Sequence, residues 1–282
     1  MQMSNPKLIV MWGNPCSGKT TATIKLAQAF AALRKNVLII FSDALCPSTA
    51  SLFPQQANNQ QSLGELLSLP TLTQEELLRY TLTLKQQPYL AFLGYKKGDH
   101  ALAYASYSRE QAIDLLTLAK HSADVVIMDC ASYVSADVLS TVALEVADFV
   151  FRFHTCDLKS LMFYASYLPM LSDARFQQAE IIPLLSNIKP EQDNQTYNQV
   201  IGGVRLQLPH VAALEQHMLE ARLLDALPSG KSSTAFQQGI EHMVEIIGIE
   251  HTKISRKPDP QIKKPLAIVR WFHNHMKRGD RE

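Results

Sequence analysis

Gly13-Asn14-Pro15-Cys16-Ser17-Gly18-Lys19-Thr20 sets two glycines, a lysine and a threonine at the spacing G-x-x-x-x-G-K-S/T. The chemistry of such a run is the binding of a polyphosphate. Its glycines let consecutive backbone N–H groups face one point, and a helix starting there adds the positive end of its dipole. Lys19 then reaches the β- and γ-phosphates and the Thr20 hydroxyl ligates Mg²⁺; the expected nucleotide-binding set is Gly13, Asn14, Pro15, Cys16, Ser17, Gly18, Lys19, Thr20 and Thr21. Such a metal needs a second anionic ligand, because Mg²⁺ takes oxygen donors and keeps several waters. Val125-Val126-Ile127-Met128-Asp129, an apolar run closed by a carboxylate, offers one. Asp43 ends a similar run and is the candidate for orienting an attacking water or contacting the metal. Lys19 and Asp43 are therefore the catalytic candidates, and Thr20, Asp129 and Asp43 the metal candidates. Each aspartate also has a plainer reading: Asp129 as a strand-to-turn junction, Asp43 as the cap of the next turn.

These side chains work only if strands and helices deliver them to one edge. Residues 7–12 read as a buried strand before the loop, and 21–33 carry apolar residues at helical spacing after it. Further strands are expected at 36–41, 89–94, 125–129, 149–153, 180–185 and 204–208. Helices are expected at 63–69, 73–84, 108–119, 138–146, 158–171, 211–221 and 235–247, with a loop over 44–62. Short apolar strands alternating with amphipathic helices predict an α/β fold of the P-loop NTPase kind, a mostly parallel sheet with helices on both faces in three layers. Ligands of such sheets bind beyond the carboxyl ends of the strands, where Asp43, Asp129 and the loop at Gly13 should converge.

The 282 residues, 46% hydrophobic and 19% charged, suffice for one large domain, expected at 1–250, plus a tail at 251–282. No apolar stretch reaches the roughly 18 residues of a membrane-spanning helix, and the N-terminus does not read as a signal peptide. Cys16, Cys46, Cys130 and Cys156 show no metal-binding spacing and read as reduced thiols of a cytoplasmic protein. Cys16 reads as a small residue filling a tight loop, with an oxidation-sensitive thiol as the alternative.

Taken together, these residues resemble the ParA/MinD family of P-loop ATPases, from Lys7 to about Ile249. The likeness rests on the phosphate loop, the strand ending in Asp43, the strand at 125–129, Ala147-Asp148 before the next strand, and Thr155-Cys156-Asp157-Leu158-Lys159-Ser160-Leu161. Asn187 and Pro209 fall where relatives frame the adenine ring, so the resemblance assigns them that role. The loop, Tyr107-Ser108-Arg109-Glu110 and Asp129-Cys130-Ala131-Ser132-Tyr133 are closer still to CpaE/MinD-like ATPases of clostridial Flp/Tad-type pilus loci. The resemblance implies ATP and Mg²⁺ as cofactors, a nucleotide-dependent homodimer, and pilus or secretion assembly proteins as partners. Asn187-Ile188-Lys189-Pro190 lacks the carboxylate that would read guanine, which also favours ATP. One position departs from the family. Its dimer-forming members place a second, "signature" lysine directly after the first loop glycine, where this chain has Asn14. A neutral amide cannot stabilise phosphoryl charge as an ammonium does, so turnover is expected to be slow unless Lys159 or Arg109 substitutes.

Charge is uneven along the chain. Residues 251–282 hold nine Lys/Arg against Asp259, Asp280 and Glu282, leaving the first 250 residues acidic. Within 262–278, Leu266, Val269, Phe272 and Met276 recur at helical steps between basic pairs, a pattern suited to an anionic membrane surface. It would place the protein peripherally at the inner face of the cell membrane. The same apolar stripe also suits docking on protein, and the cations suit nucleic acid less well, since no reader module accompanies them. A solvated tail behind the Pro- and Lys-rich linker 256–265 is the remaining reading. Three functions stay open: an ATPase switch in localisation or assembly, a nucleotide-binding scaffold without turnover, and an ATP-dependent phosphotransferase or ligase using 44–107 as an acceptor pocket.

Overall fold

A computed structural model of the chain describes residues 7–54 and 61–248. Eight strands form one sheet: β1 (Lys7–Gly13), β2 (Val37–Phe41), β3 (Leu82–Leu84), β4 (Gln87–Gly94), β5 (Val125–Asp129), β6 (Phe149–His154), β7 (Glu180–Ile188) and β8 (Leu206–Pro209). Their order is β3-β4-β2-β5-β1-β6-β7-β8, with β1 at the centre. Every pair is parallel except β3 with β4.

The central strands are apolar throughout because both faces are covered. The period-2 pleat of β1 sends Ile9 and Met11 to one core, and Leu8, Val10 and Trp12 to the other. The first face is covered by α1 (Lys19–Ala32) and α10 (Lys231–Ile247), with α9 (Ala212–Leu219) beside them. The second is covered by α3 (Leu63–Leu67), α4 (Gln74–Arg79), α5 (Arg109–Ser122) and α6 (Val138–Val146). On the same side α7 (Leu158–Leu171) lies over β6. Ser160 is its one buried residue, while Leu158, Met162 and Leu168 are exposed. Phe163 and Tyr167 of α7 stack against Trp12, tying the helix to the middle of the sheet. The expected three-layer α/β fold is the one observed.

Some elements differ from the expectation. The helix expected over 73–84 stops at Arg79, and Leu82–Leu84 instead turns back as β3, pairing antiparallel with β4. Thr81 and Thr83 are β-branched, and strand pairing at the open edge of β4 satisfies backbone groups that a further helical turn would leave beyond the core. Two short helices, α2 (Ser48–Leu52) and α8 (Asn194–Val200), lie in stretches without a helical apolar period. α8 buries none of its residues, which is why its sequence carries no such signal. The basic tail at 251–282 lies outside the described residues. Among the described residues no helix is long and apolar enough to cross a membrane.

Candidate nucleotide-binding site

Strand register brings the site together. Met11 of β1 and Phe41 of β2 both register with Asp129 of β5, and Gly13 registers with Phe153 of β6. The loop after Gly13, the residues after Phe41 and Asp129 therefore leave the sheet along one edge. Gly13 is demanded by close approach: a Cβ there would sit 2.2 Å from the Phe153 carbonyl oxygen, which is backbone and cannot yield. Gly18 has φ +81, a left-handed conformation that L side chains resist, and it opens α1 with no side-chain cap and no acidic residue in the first turn. The first-turn amides thus keep their capacity to bind an anion, and the dipole favours one. Cys16 has φ 59 and is exposed, so it does not fill the loop as expected. Pro15 beside it is exposed as well, and Thr21 is half-buried on the first turn of α1. All four cysteines are free.

Lys19 is buried, and its Nζ donates to Ser132 Oγ at 2.7 Å, Asn14 O at 3.2 Å and Gly13 O at 3.3 Å. Burial pushes the ammonium's pKa down, opposed first by the charge of Asp129. Asp129 is 5% exposed, and its Oδ2 accepts from Thr20 Oγ1 at 2.5 Å. Burial raises this carboxyl to about 6, against the opposing pull of Lys19 and Thr20. Its other oxygen, Oδ1, is buried with no hydrogen-bond partner, and so is Ser17 Oγ. An idle buried polar atom costs about 1–3 kcal/mol, which a ligand can recover. A free carboxylate oxygen beside a threonine hydroxyl, an open helix N-terminus and a desolvated lysine fit a hard divalent cation carried on a polyphosphate.

The other expected residues fall on the same edge with different engagements. Asp43 is half-buried, and its Oδ1 accepts from the backbone N–H groups of Leu45 and Cys46 at 2.9 and 3.1 Å. It organises its own turn, the plainer of its two readings, while its charge still acts on Lys19 and Asp129. Asn187, next to last in β7, has φ 55, and its Oδ1 shares a 2.8 Å hydrogen bond with His210 Nδ1. Pro209 registers with Ile188, and Ser186 Oγ abuts Gly18. Both adenine-framing candidates therefore stand on the loop's edge. Arg109 forms an ion pair with the buried Glu145 and is committed to packing α5 on α6, so it does not act as a substitute cation. Lys159 is exposed on the first turn of α7.

Two engagements were not read from the sequence: Ser132 as the partner of Lys19, and the inward bonds of Asn14, which was expected in the nucleotide-binding set. Ser132 receives the Lys19 ammonium, and its carbonyl accepts from Trp12 Nε1 at 3.1 Å. Its only sequence signal was a hydroxyl residue three places beyond Asp129. Asn14, 7% exposed, points inward: its Nδ2 donates to Thr155 Oγ1 at 3.0 Å and its Oδ1 accepts from Ser160 Oγ at 2.9 Å. Thr155 Oγ1 in turn donates to Asp157 Oδ2 at 2.5 Å, and Asp157 Oδ1 caps α7 by accepting from the Ser160 N–H at 2.9 Å.

Comparison with known proteins agrees with this geometry. The family model described as an AAA domain matches residues 9–171, more than half of the chain. A comparison with curated proteins found no match. Among solved structures, MinD from Pyrococcus horikoshii, in complex with Mg-ADP, is 15% identical over 86% of this chain and 98% of its own, at a TM-score of 0.68. A ParA family ATPase from Chlorobium tepidum is 17% identical over 85% of this chain and all of its own, at 0.67. A putative plasmid partition protein from Borrelia burgdorferi, bound to AMPPNP, is 16% identical over 86% of this chain and 99% of its own, at 0.64. Identities this low speak for the shared fold. The family match spans the phosphate loop, Asp129 and the start of α7, and with it the chain belongs to the AAA-domain family, built on the P-loop fold that MinD and ParA share.

Proposed function

We propose that this chain is a nucleotide-dependent switch of the ParA/MinD type that binds Mg·ATP at residues 13–21. The observation that carries the reading is the pairing of Thr20 with the buried Asp129, which keeps one idle carboxylate oxygen, beside an uncapped helix N-terminus and a desolvated lysine. The Mg-ADP complex of MinD and the AMPPNP complex of the Borrelia protein support the choice of ligand, being nucleotide states of the same fold. When bound, Mg²⁺ would neutralise phosphate charge. The chain's own residues hold and orient: Lys19 exchanges its Ser132 and carbonyl contacts for phosphate oxygens, and Asp129 and Thr20 present their oxygens to the metal. Asp43 keeps a negative charge close to both. Asn187 and Pro209 frame the adenine in this reading. Mass spectrometry of nucleotide retained by the purified chain tests it: ATP or ADP should be retained in a Mg²⁺-dependent way, and a chain that retains neither is not a nucleotide switch.

A second reading is a nucleotide-binding scaffold with little turnover. Asn14 favours it, because that side chain is neutral and both its ends are engaged within its own chain. Phosphate release from the wild type no higher than from Lys19→Ala selects the scaffold. The finer expectations rest on the resemblance and the sequence: a nucleotide-dependent homodimer, a role in pilus or secretion assembly, and a peripheral membrane site through 262–278. Sedimentation with anionic vesicles, with and without residues 262–282, tests the last. Binding that survives the deletion removes the tail from the account.

A further inference from the structure

Ser17 and Asp129 beside the phosphate loop each leave an oxygen idle, but Asn14 leaves no polar atom without a partner. Its Nδ2 donates to Thr155 Oγ1 and to Pro15 O, both at 3.0 Å, and its Oδ1 accepts from Ser160 Oγ. The circuit continues beyond it. Thr155 N donates to Ser160 Oγ at 3.1 Å, Thr155 Oγ1 donates to Asp157 Oδ2, and Ser160 N donates to Asp157 Oδ1. Each hydroxyl in this set both donates and accepts, which gives every hydrogen a single direction. Asn14, Thr155 and Ser160 are all at most 8% exposed, so the bonds face little competition from water. The result joins the second residue of the phosphate loop to the cap and first turn of α7.

We propose that Asn14 is a positioning residue that sets the phosphate loop from within its own chain, and that it couples occupancy of the loop to the first turn of α7. The proposal rests on the nucleotide reading above. Its physical basis is that the Cys16 and Ser17 N–H groups must face a phosphate, and the loop carrying them is tethered on this side by Asn14. Any shift of the loop on binding moves both amide bonds of Asn14, and these end on Thr155 and Ser160. Further along, α7 is anchored by Phe163 and Tyr167 against Trp12. The shift therefore falls on its first turn, where Leu158 and Lys159 are exposed and Ser160 is the buried contact. Asn14 thus contributes geometry where a lysine would contribute charge.

Calorimetric titration of ADP with Mg²⁺ tests this, in the wild type and in Asn14→Ala, Thr155→Val, Thr155→Ser and the Asn14→Ala/Thr155→Val double variant. Losing the tether should weaken ADP about tenfold, the worth of one or two buried hydrogen bonds. Thr155→Val should fall in the same direction, and Thr155→Ser, which keeps the hydroxyl, should stay near the wild type. The double variant should be no weaker than Asn14→Ala alone, since both break one circuit. Amide exchange supplies the second readout: ADP should protect residues 158–161 in the wild type and leave them unprotected in Asn14→Ala. If Asn14→Ala does not fold, the two Thr155 variants carry the same comparison. Wild-type affinity retained in the folded variants, with ADP still protecting 158–161, overturns the coupling and leaves nucleotide binding intact. A wild type that binds no nucleotide overturns both.

Discussion

Two polar clusters flank the same loop, and they are built in opposite ways. On the β5 side, Lys19, Asp129 and Ser17 are buried and Thr20 half-buried, with charge on two of them and idle oxygens on Asp129 and Ser17. On the α7 side, Asn14, Thr155, Asp157 and Ser160 satisfy one another, and the one charge caps a helix. Water is largely excluded from both, so an idle atom is expensive in either place. The idle oxygens of the first leave bonds that the proposed Mg·nucleotide would make. A cluster that closes its own bonds is there to keep a shape. The first therefore reads as a ligand site and the second as the frame that aims it.

Substitutions should separate the two. The largest effect is expected from Lys19→Ala, which removes the one cation buried in the open cluster. Nucleotide retention should drop by about a hundredfold or more, given about 1.5–3 kcal/mol for each hydrogen bond to a charged group. A variant that retains nucleotide normally would show the loop to be a structural turn.

Asp129→Asn should leave weak binding of ADP alone and erase the additional thermal shift produced by Mg²⁺. In the wild type that shift should fade as pH drops below about 6, where burial holds the Asp129 carboxyl, because a protonated acid does not ligate Mg²⁺. The sign for stability runs the other way. A carboxyl raised in the folded state favours folding most at low pH, and that contribution is lost as pH rises from the ordinary carboxylate range through about 6. A Mg²⁺ effect undiminished at pH 5 would remove Asp129 from the metal site.

In the closed cluster the main readout is stability. Asn14→Ala strips a donor from Thr155 and an acceptor from Ser160, and should lower the unfolding free energy by about 2–3 kcal/mol in urea denaturation. A loss below half a kcal/mol, on the order of an exposed surface change, would mean the circuit is not held in solution.

The smallest effect concerns His154, one residue before Thr155. It is 2% exposed, accepts from Arg152 Nε at 3.0 Å, and is pushed down to about 3 by burial and then by the Arg152 charge. The unfolded chain takes up that proton from about pH 6.5 downward while the folded chain does not. Stability should fall by about 1.4 kcal/mol per pH unit over this window, or about 2 kcal/mol at pH 5. His154→Asn should flatten that slope and leave the rest of the acid response unchanged. Parallel curves for the two proteins would show that His154 is not held neutral.

Legibility followed distance along the chain. The phosphate loop, its strand and its helix could be read directly, because all three are consecutive and each has a local pattern: an apolar run, a glycine spacing, a 3.6-residue period. Asp129 was legible through its place at the end of such a run. By contrast β3 was hidden inside an expected helix, since Leu82-Thr83-Leu84 suits either state until the free edge of β4 is known. Arg109 offered a spare cation on paper, and only packing revealed Glu145 as its owner.

The sequence by itself determined that a strand, a glycine turn and a helix would present backbone amides to an anion, because local backbone sterics and periodicity settle that much. Only the tertiary structure decided what each polar side chain does there. Thr20 meets Asp129 across 109 positions, Lys19 meets Ser132 across 113, and Asn14 meets Thr155 and Ser160 across 141 and 146. Such bonds depend on angstrom-scale placement by the whole sheet, and amide and hydroxyl side chains carry no long-range pattern that announces their partners.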